Sequence, residues 1–224
     1  MHTESVAAAE KNLSPAQCGV ITRLGALSNL PEGQWRYHVG TLAHGEDPAL
    51  DDSSWPVAVP NTDYSTDSMW FRQWITVPKT LEGYDLTGTR IWFGFNASVN
   101  GPLPELIYFN GRRVAMGDDL EPIVLFDQAK PGERVLVAVK LMNTVDHKHF
   151  AGTPMQIDAA SNRPGPEDLR EELLSAALLV PSLSKNIPAD QATLAQAIGQ
   201  VDVKALEAAD QSGFDASLRA AQST

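Results

Sequence analysis

The aromatic residues of this chain stop abruptly. All five tryptophans lie between Trp35 and Trp92, and of sixteen aromatic side chains only Phe214 follows Phe150. The last stretch, beyond about Asn162, is rich in Ala, Leu, Gln and Glu instead. Aromatic and β-branched residues suit a pleated, half-buried surface, whereas Ala, Leu, Gln and Glu lose little freedom in a helix. The chain therefore divides into a sheet-forming part and a helix-forming part.

From Trp35 to Asp158 the pattern is strand-like. WRYHV, MWFRQWITVP, RIWFGFN, ELIYFN, EPIVLF and RVLVAVKL are short, apolar and separated by turn chemistry. Val135, Val137, Val139 and Leu141 sit two apart, which predicts one core-facing side of a pleat with Arg134 and Lys140 on the other. Asn110-Gly111 supplies two positions that tolerate positive φ, as a tight hairpin requires, and Lys130-Pro131-Gly132-Glu133 marks another turn. Strands at spacings of about ten residues with no helical rhythm between them predict a two-sheet sandwich or jelly roll.

After Asn162 the rhythm is helical. Pro166, Glu167 and Asp168 stand where a first turn prefers proline and acids, and Leu169, Leu173, Ala177 and Val180 recur at steps of three and four. Pro188-Ala189-Asp190 restarts the pattern, and Leu194, Ala197, Ile198, Val201 and Leu206 make a second stripe. Both stripes are narrow, which predicts that the helices dock on the sandwich or on another domain. The expected division is 1–34, an N-terminal extension; 35–160, the β-sandwich; and 161–224, a helical connector.

Composition removes several classes. Lys+Arg 17 against Asp+Glu 28 gives a net charge of −11, and no basic cluster exceeds Arg112-Arg113, so a surface that tracks nucleic-acid phosphates is not expected. No apolar run approaches the roughly 20 residues that cross a bilayer. The N-terminus lacks the apolar core of a signal peptide. With one cysteine, Cys18, there is no internal disulfide, and both a cytoplasmic and an exported, processed protein stay open.

Three motifs carry a family resemblance. Met69-Trp70-Phe71-Arg72-Gln73-Trp74-Ile75-Thr76-Val77-Pro78, then Ile107-Tyr108-Phe109-Asn110-Gly111-Arg112-Arg113-Val114, then Ala129-Lys130-Pro131-Gly132-Glu133-Arg134-Val135-Leu136-Val137 follow one another in order. Together they resemble the galactose-binding-like jelly roll that accompanies the catalytic domain of multidomain glycosidases. The continuation Asp119-Leu120-Glu121-Pro122-Ile123-Val124-Leu125-Phe126 and the helical tail are most similar to the region preceding the catalytic domain of bacterial α-mannosidases of glycoside hydrolase family 38. The resemblance implies a mainly β, galactose-binding-like sandwich followed by a C-terminal helical segment. It also implies a catalytic domain as partner, with zinc held there by a His-x-His-x-Asp motif that this chain lacks. No catalytic residue, metal ligand or cofactor is assigned to this chain. A free-standing carbohydrate-binding module is the rival reading.

Local candidates for chemistry are few. Asp146-His147-Lys148-His149 offers two imidazoles at i, i+2, one ligand short of a metal site, and is read as a solvated loop. Asp118, Asp119 and Glu121 are read as a polar inter-strand loop, because adjacent carboxylates do not reach the separation of about 5 to 10 Å that glycoside hydrolysis needs. If a sugar is bound, Trp55 and Tyr64, both in loop-like sequence, are the expected stacking residues, since an aromatic face complements the C–H face of a pyranose. Asn12-Leu13-Ser14 and Asn96-Ala97-Ser98 match glycosylation acceptors, which matter only in a eukaryotic secretory host. The stripe Leu194, Ile198, Val201 and Leu206 is expected to lack its partner and to favour self-association.

Overall fold

The computed structural model describes residues 3–224. In chain order the elements are α1 (Thr3–Glu10), α2 (Pro15–Ala26), β1 (Arg36–Val39), β2 (Thr62–Tyr64), β3 (Met69–Thr76), β4 (Thr80–Leu81), β5 (Tyr84–Asp85), β6 (Arg90–Phe93), β7 (Asn96–Ser98), β8 (Glu105–Phe109), β9 (Arg112–Gly117), β10 (Ile123–Phe126), β11 (Arg134–Leu141), β12 (Lys148–Gly152), β13 (Ile157–Asp158), α3 (Pro166–Leu183), α4 (Ile187–Gln200), α5 (Lys204–Glu207) and α6 (Gln211–Gln222). The protein is mainly β in its middle and helical at its C-terminal end, as the aromatic boundary predicts.

Contacts gather the chain into two units that do not follow chain order. One contains the chain up to Asn29, Lys79–Arg90 and Ile157–Thr224; the other contains Leu30–Pro78 and Ile91–Gln156. The division drawn from sequence at 34 and 160 therefore differs from the observed one. The N-terminal helices are part of a packed unit, and a hairpin from the middle of the chain leaves the sheet region to join them. Local composition does not report such a pairing between distant segments.

The β unit is a sandwich. Its larger sheet has the order β1-β3-β11-β8-β9, all neighbours antiparallel, with Val139 opposite Phe71 and Ile107. A three-stranded sheet β2-β12-β7 lies across from it, and β6 pairs antiparallel with β10. The core between the sheets is aromatic: Phe71 and Phe150 have ring centroids 5.1 Å apart, Phe95 and Phe150 5.3 Å, and Tyr64 and Phe71 5.7 Å. Ring pairs at these distances add to the burial term that holds the sheets together.

The second face of the large sheet is covered as well, which the alternation in β11 does not predict. Leu136 and Ala138 are as buried as Val137 and Val139. The cover is the segment 45–55, clamped by Arg72. This guanidinium donates to the carbonyl oxygens of Gly45, Asp47 (3.1 Å) and Leu50 (3.2 Å), and its Nε donates to Asp52 Oδ2 at 2.8 Å. Fixed bonds to four acceptors in a buried place explain why an arginine sits in the centre of an apolar strand. Trp70 lies under Gly45, where an added Cβ would come within 2.4 Å of the indole. Trp74, on the same strand face, is part-exposed and carries the Arg134 guanidinium 4.0 Å above its ring.

The helical unit has its own core. Leu24, Leu27, Leu174, Ala177, Ile198, Phe214 and Leu218 are all buried. Ser14 caps α2 in a capping box with Gln17. Pro166 opens α3, and Pro181 lies inside that helix, which runs on to Leu183. Arg163 packs 4.4 Å above the Tyr84 ring, bonds Asp215 at 3.0 Å and donates to the Asp85 carbonyl at 2.8 Å, tying the β4–β5 hairpin to α6. The stripe expected to be bare is buried: Leu194, Ile198, Val201 and Leu206 are at most 8% exposed. It is buried because α4 packs on α3 and α6, so the stripe finds its partners within the unit.

Candidate functional site

Tyr64 is not a surface platform. It is 9% exposed, its ring meets Tyr37 (4.9 Å), Phe71 and Phe150, and its hydroxyl accepts the Val59 N–H at 2.7 Å. Trp55 is half-buried, 5.2 Å from the His38 ring and 5.8 Å from the Arg72 guanidinium. Tyr37 and His38 are consecutive on β1 and point to opposite faces, so the tyrosine beside one and the tryptophan beside the other lie on opposite sides of the sheet. The two candidates cannot form a single sugar-stacking surface. The turn chemistry that marks Tyr64 as loop-like is real at Asn61, whose φ is 57°, but Thr62–Tyr64 forms β2 immediately after it.

The sandwich contains a pocket elsewhere, a cavity of about 490 Å³ lined by Asn96, Ala97 and Ser98 of β7, Leu103 before β8, Glu105 at its start, and Asp118, Asp119 and Leu120 after β9. This volume falls within the range of small-molecule sites, roughly 300 to 1,000 Å³. Glu105 pairs with Gly117 across the sheet, which brings the loop that follows β9 over its side chain. Asp119 adopts a positive φ of 52°, and Asp118 Oδ1 accepts the Leu103 N–H at 2.9 Å.

Glu105 is the distinctive group. Only 4% of it is exposed. Burial pushes its carboxyl up to about 7, the charges of Asp118 and Asp119 push in the same direction, and a hydrogen bond from the Leu120 backbone opposes them. Near neutral pH the site then holds a carboxyl that donates when protonated beside two carboxylates that only accept, a combination suited to ligand hydroxyls. The sequence does carry a signal for Glu105, since it shares a strand face with Ile107, a core position, and an acid there has to be solvated or unusual.

His149 Nδ1 lies 2.8 Å from Asp63 Oδ1, while Lys148 between the two histidines turns inward. Its ammonium donates to the carbonyl oxygens of Ser65 (3.0 Å), Thr66 (2.9 Å) and Asp67 (2.7 Å). Burial lowers its pKa. Among the described residues no group of three or more His, Cys, Asp and Glu is placed to hold a metal ion. No described helix is long and apolar enough to cross a membrane.

Fold and site together define a two-unit protein: one unit is a β-sandwich that carries a carboxyl-lined pocket, and the other is mainly helical. No family model matches the chain. It is 26% identical over 210 residues to an indigoidine synthase of Streptomyces lavendulae, a match that takes in 88% of this chain and 15% of that protein. Similar solved structures include a glycosyl hydrolase of family 2 from Bacteroides cellulosilyticus (TM-score 0.46, 20% identity, 58% of this chain and 20% of that one). Others are a β-glucuronidase of glycoside hydrolase family 2 (0.40, 15%, 59% and 18%) and a β-glycosidase from Bacteroides vulgatus (0.42, 13%, 58% and 20%). The chain spans about a fifth or less of the length of each of these proteins.

Proposed function

We propose that this chain is a non-catalytic accessory part of a larger glycoside hydrolase, its sandwich packed beside a catalytic domain and its carboxyl pocket available to carbohydrate hydroxyls. The observation that carries the reading is the way the three motif segments join. Val77 of the first donates to the Glu133 carbonyl and accepts from Gly132 N–H, both at 2.9 Å, and Asn110 of the second bonds Leu136 of the third. Residues that resemble an accessory jelly roll in sequence are thus the ones that brace the large sheet. The finer assignment, to an α-mannosidase of glycoside hydrolase family 38, rests on the resemblance of the 119–126 segment and the helical tail. Zinc in that reading belongs to the catalytic domain.

The test is direct. The chain alone is expected to release nothing above background from aryl α-mannosides with Zn²⁺, Co²⁺ or Ca²⁺ supplied. Saturable binding of manno-oligosaccharides is expected to weaken on Ser98→Trp, which fills the pocket, or Glu105→Gln. Metal-dependent turnover lost on mutating His147 or Asp119 overturns the accessory reading.

The burial of Leu194, Ile198, Val201 and Leu206 favours a second reading, a self-contained carbohydrate-binding module. Slow amide exchange from Pro188 onward in a monomer, together with pocket-dependent sugar binding, supports it over the connector.

A further inference from the structure

We propose that the groove between α3 and α4 receives an amphipathic helix of a partner protein whose polar flank is basic. Leu169, Leu173, Ala176 and Val180 follow one another on α3 at steps of four, three and four, and Leu194 and Ala197 face them from α4. Steps of three and four put each set on one side of its helix. Between them lies a cavity of about 300 Å³ with an apolar floor, lined also by Ala221, Gln222 and Thr224 at the C-terminal end of α6. Leu169, Leu173 and Leu194 are already buried in the unit's own core, while Ala176 and Val180 are part-exposed at the opening. The small side chain of Ala176 leaves room there for an incoming residue.

The rim decides the occupant. Glu172 and Asp190 border the cavity, and a wider depression of about 750 Å³ that shares Glu172 is lined by Asp168 and Glu171. From Asp168 to Lys204 the chain carries five acids, Asp168, Glu171, Glu172, Asp190 and Asp202, and three basic residues, Arg170, Lys185 and Lys204, of which Arg170 pairs with Glu167. An apolar floor between two helices fits the apolar stripe of a third, and an acidic border fits lysines or arginines beside that stripe. A second copy of this chain, with a net charge of −11, presents the wrong sign. The proposal stands on the helical unit alone and does not depend on the carbohydrate reading.

The full chain would be titrated with three labelled synthetic peptides and followed by fluorescence anisotropy. The first is an amphipathic helix with leucines on one face and lysines on the other; the second is its scrambled isomer; the third replaces lysine with glutamate. The Leu/Lys helix is expected to bind saturably at one site. Its affinity should fall by about tenfold or more on Ala176→Trp, which fills the groove, and also on Glu172→Lys, which reverses the rim without touching the core. The Leu/Glu peptide should not bind. Equal binding of the scrambled peptide, or unchanged affinity in a folded Glu172→Lys variant, reduces the effect to adsorption on an acidic surface and overturns the proposal. A dimer of the chain alone that Ala176→Trp dissolves assigns the groove to a second copy and overturns it equally.

Discussion

Asn110 and Leu136 exchange two hydrogen bonds: the Asn110 N–H donates to the Leu136 carbonyl at 2.9 Å, and the Leu136 N–H donates to Asn110 Oδ1 at 2.9 Å. The hairpin turn between β8 and β9 is thereby fastened to β11 by backbone and side chain together. An asparagine here does two things, since it accepts a left-handed backbone, φ 48°, and supplies an acceptor that a second glycine would not. The same end of the sheet is closed on the other side of β11 by Val77 and the Lys130–Glu133 turn.

The turn predicts a cost for losing glycine. Gly111 has a φ of 80°, and a Cβ there would meet Pro48 at 3.3 Å. Gly111→Val is expected to lower stability by about 1 to 3 kcal/mol, read as a lower urea midpoint with an unchanged slope. An unchanged midpoint refutes a strained turn.

Arg72 is expected to govern the segment 45–55. Arg72→Met leaves the carbonyls of Gly45, Asp47 and Leu50 and the Asp52 carboxylate without their donor, and the expected loss is about 3 to 5 kcal/mol. Thermal unfolding measures it, and a shift in tryptophan emission should report the release of Trp55. A variant with wild-type melting and emission refutes the clamp.

Glu105 gives the sandwich a pH dependence of defined sign. Its folded pKa of about 7 lies above the ordinary value of 4.5, so the folded state holds the proton more tightly. The stability it contributes is complete below about pH 4.5 and is lost as pH rises through 7, by about 3 kcal/mol at most for a shift of this size. Glu105→Gln, which stays neutral, should remove that loss. Urea unfolding at pH 5 and pH 8 checks it: the wild type should lose stability relative to the variant at the higher pH, and parallel behaviour refutes the assignment.

Lys148 holds together the turn at 65–67. Lys148→Met leaves Ser65 and Asp67 carbonyls without the ammonium, whereas the Thr66 carbonyl keeps the Thr144 N–H at 2.8 Å. The expected destabilisation is about 2 to 4 kcal/mol, and Lys148→Arg should not restore it, because a planar fork does not reproduce one nitrogen aimed at three oxygens. Full stability of the arginine variant by thermal melting refutes this geometry.

What the chain's own order of residues determined is local. Alternation and aromatic content placed the central strands, Asn110-Gly111 specified the hairpin, and periodicity with Pro166 placed α3, because each is governed by neighbours within a few residues. Tertiary structure decided the rest. Tyr64 and Trp55 look alike in sequence, yet β1 separates them onto opposite sheet faces, and Glu105 becomes a near-neutral carboxyl only because the loop after β9 folds over it. The stripe from Leu194 to Leu206 reads as bare until α3 and α6 are seen against it, and the helices before Asn29 read as an extension until they join the same unit. Burial is a property of segments distant along the chain, and their pairing depends on the summed packing of the whole unit rather than on any pattern of nearby residues.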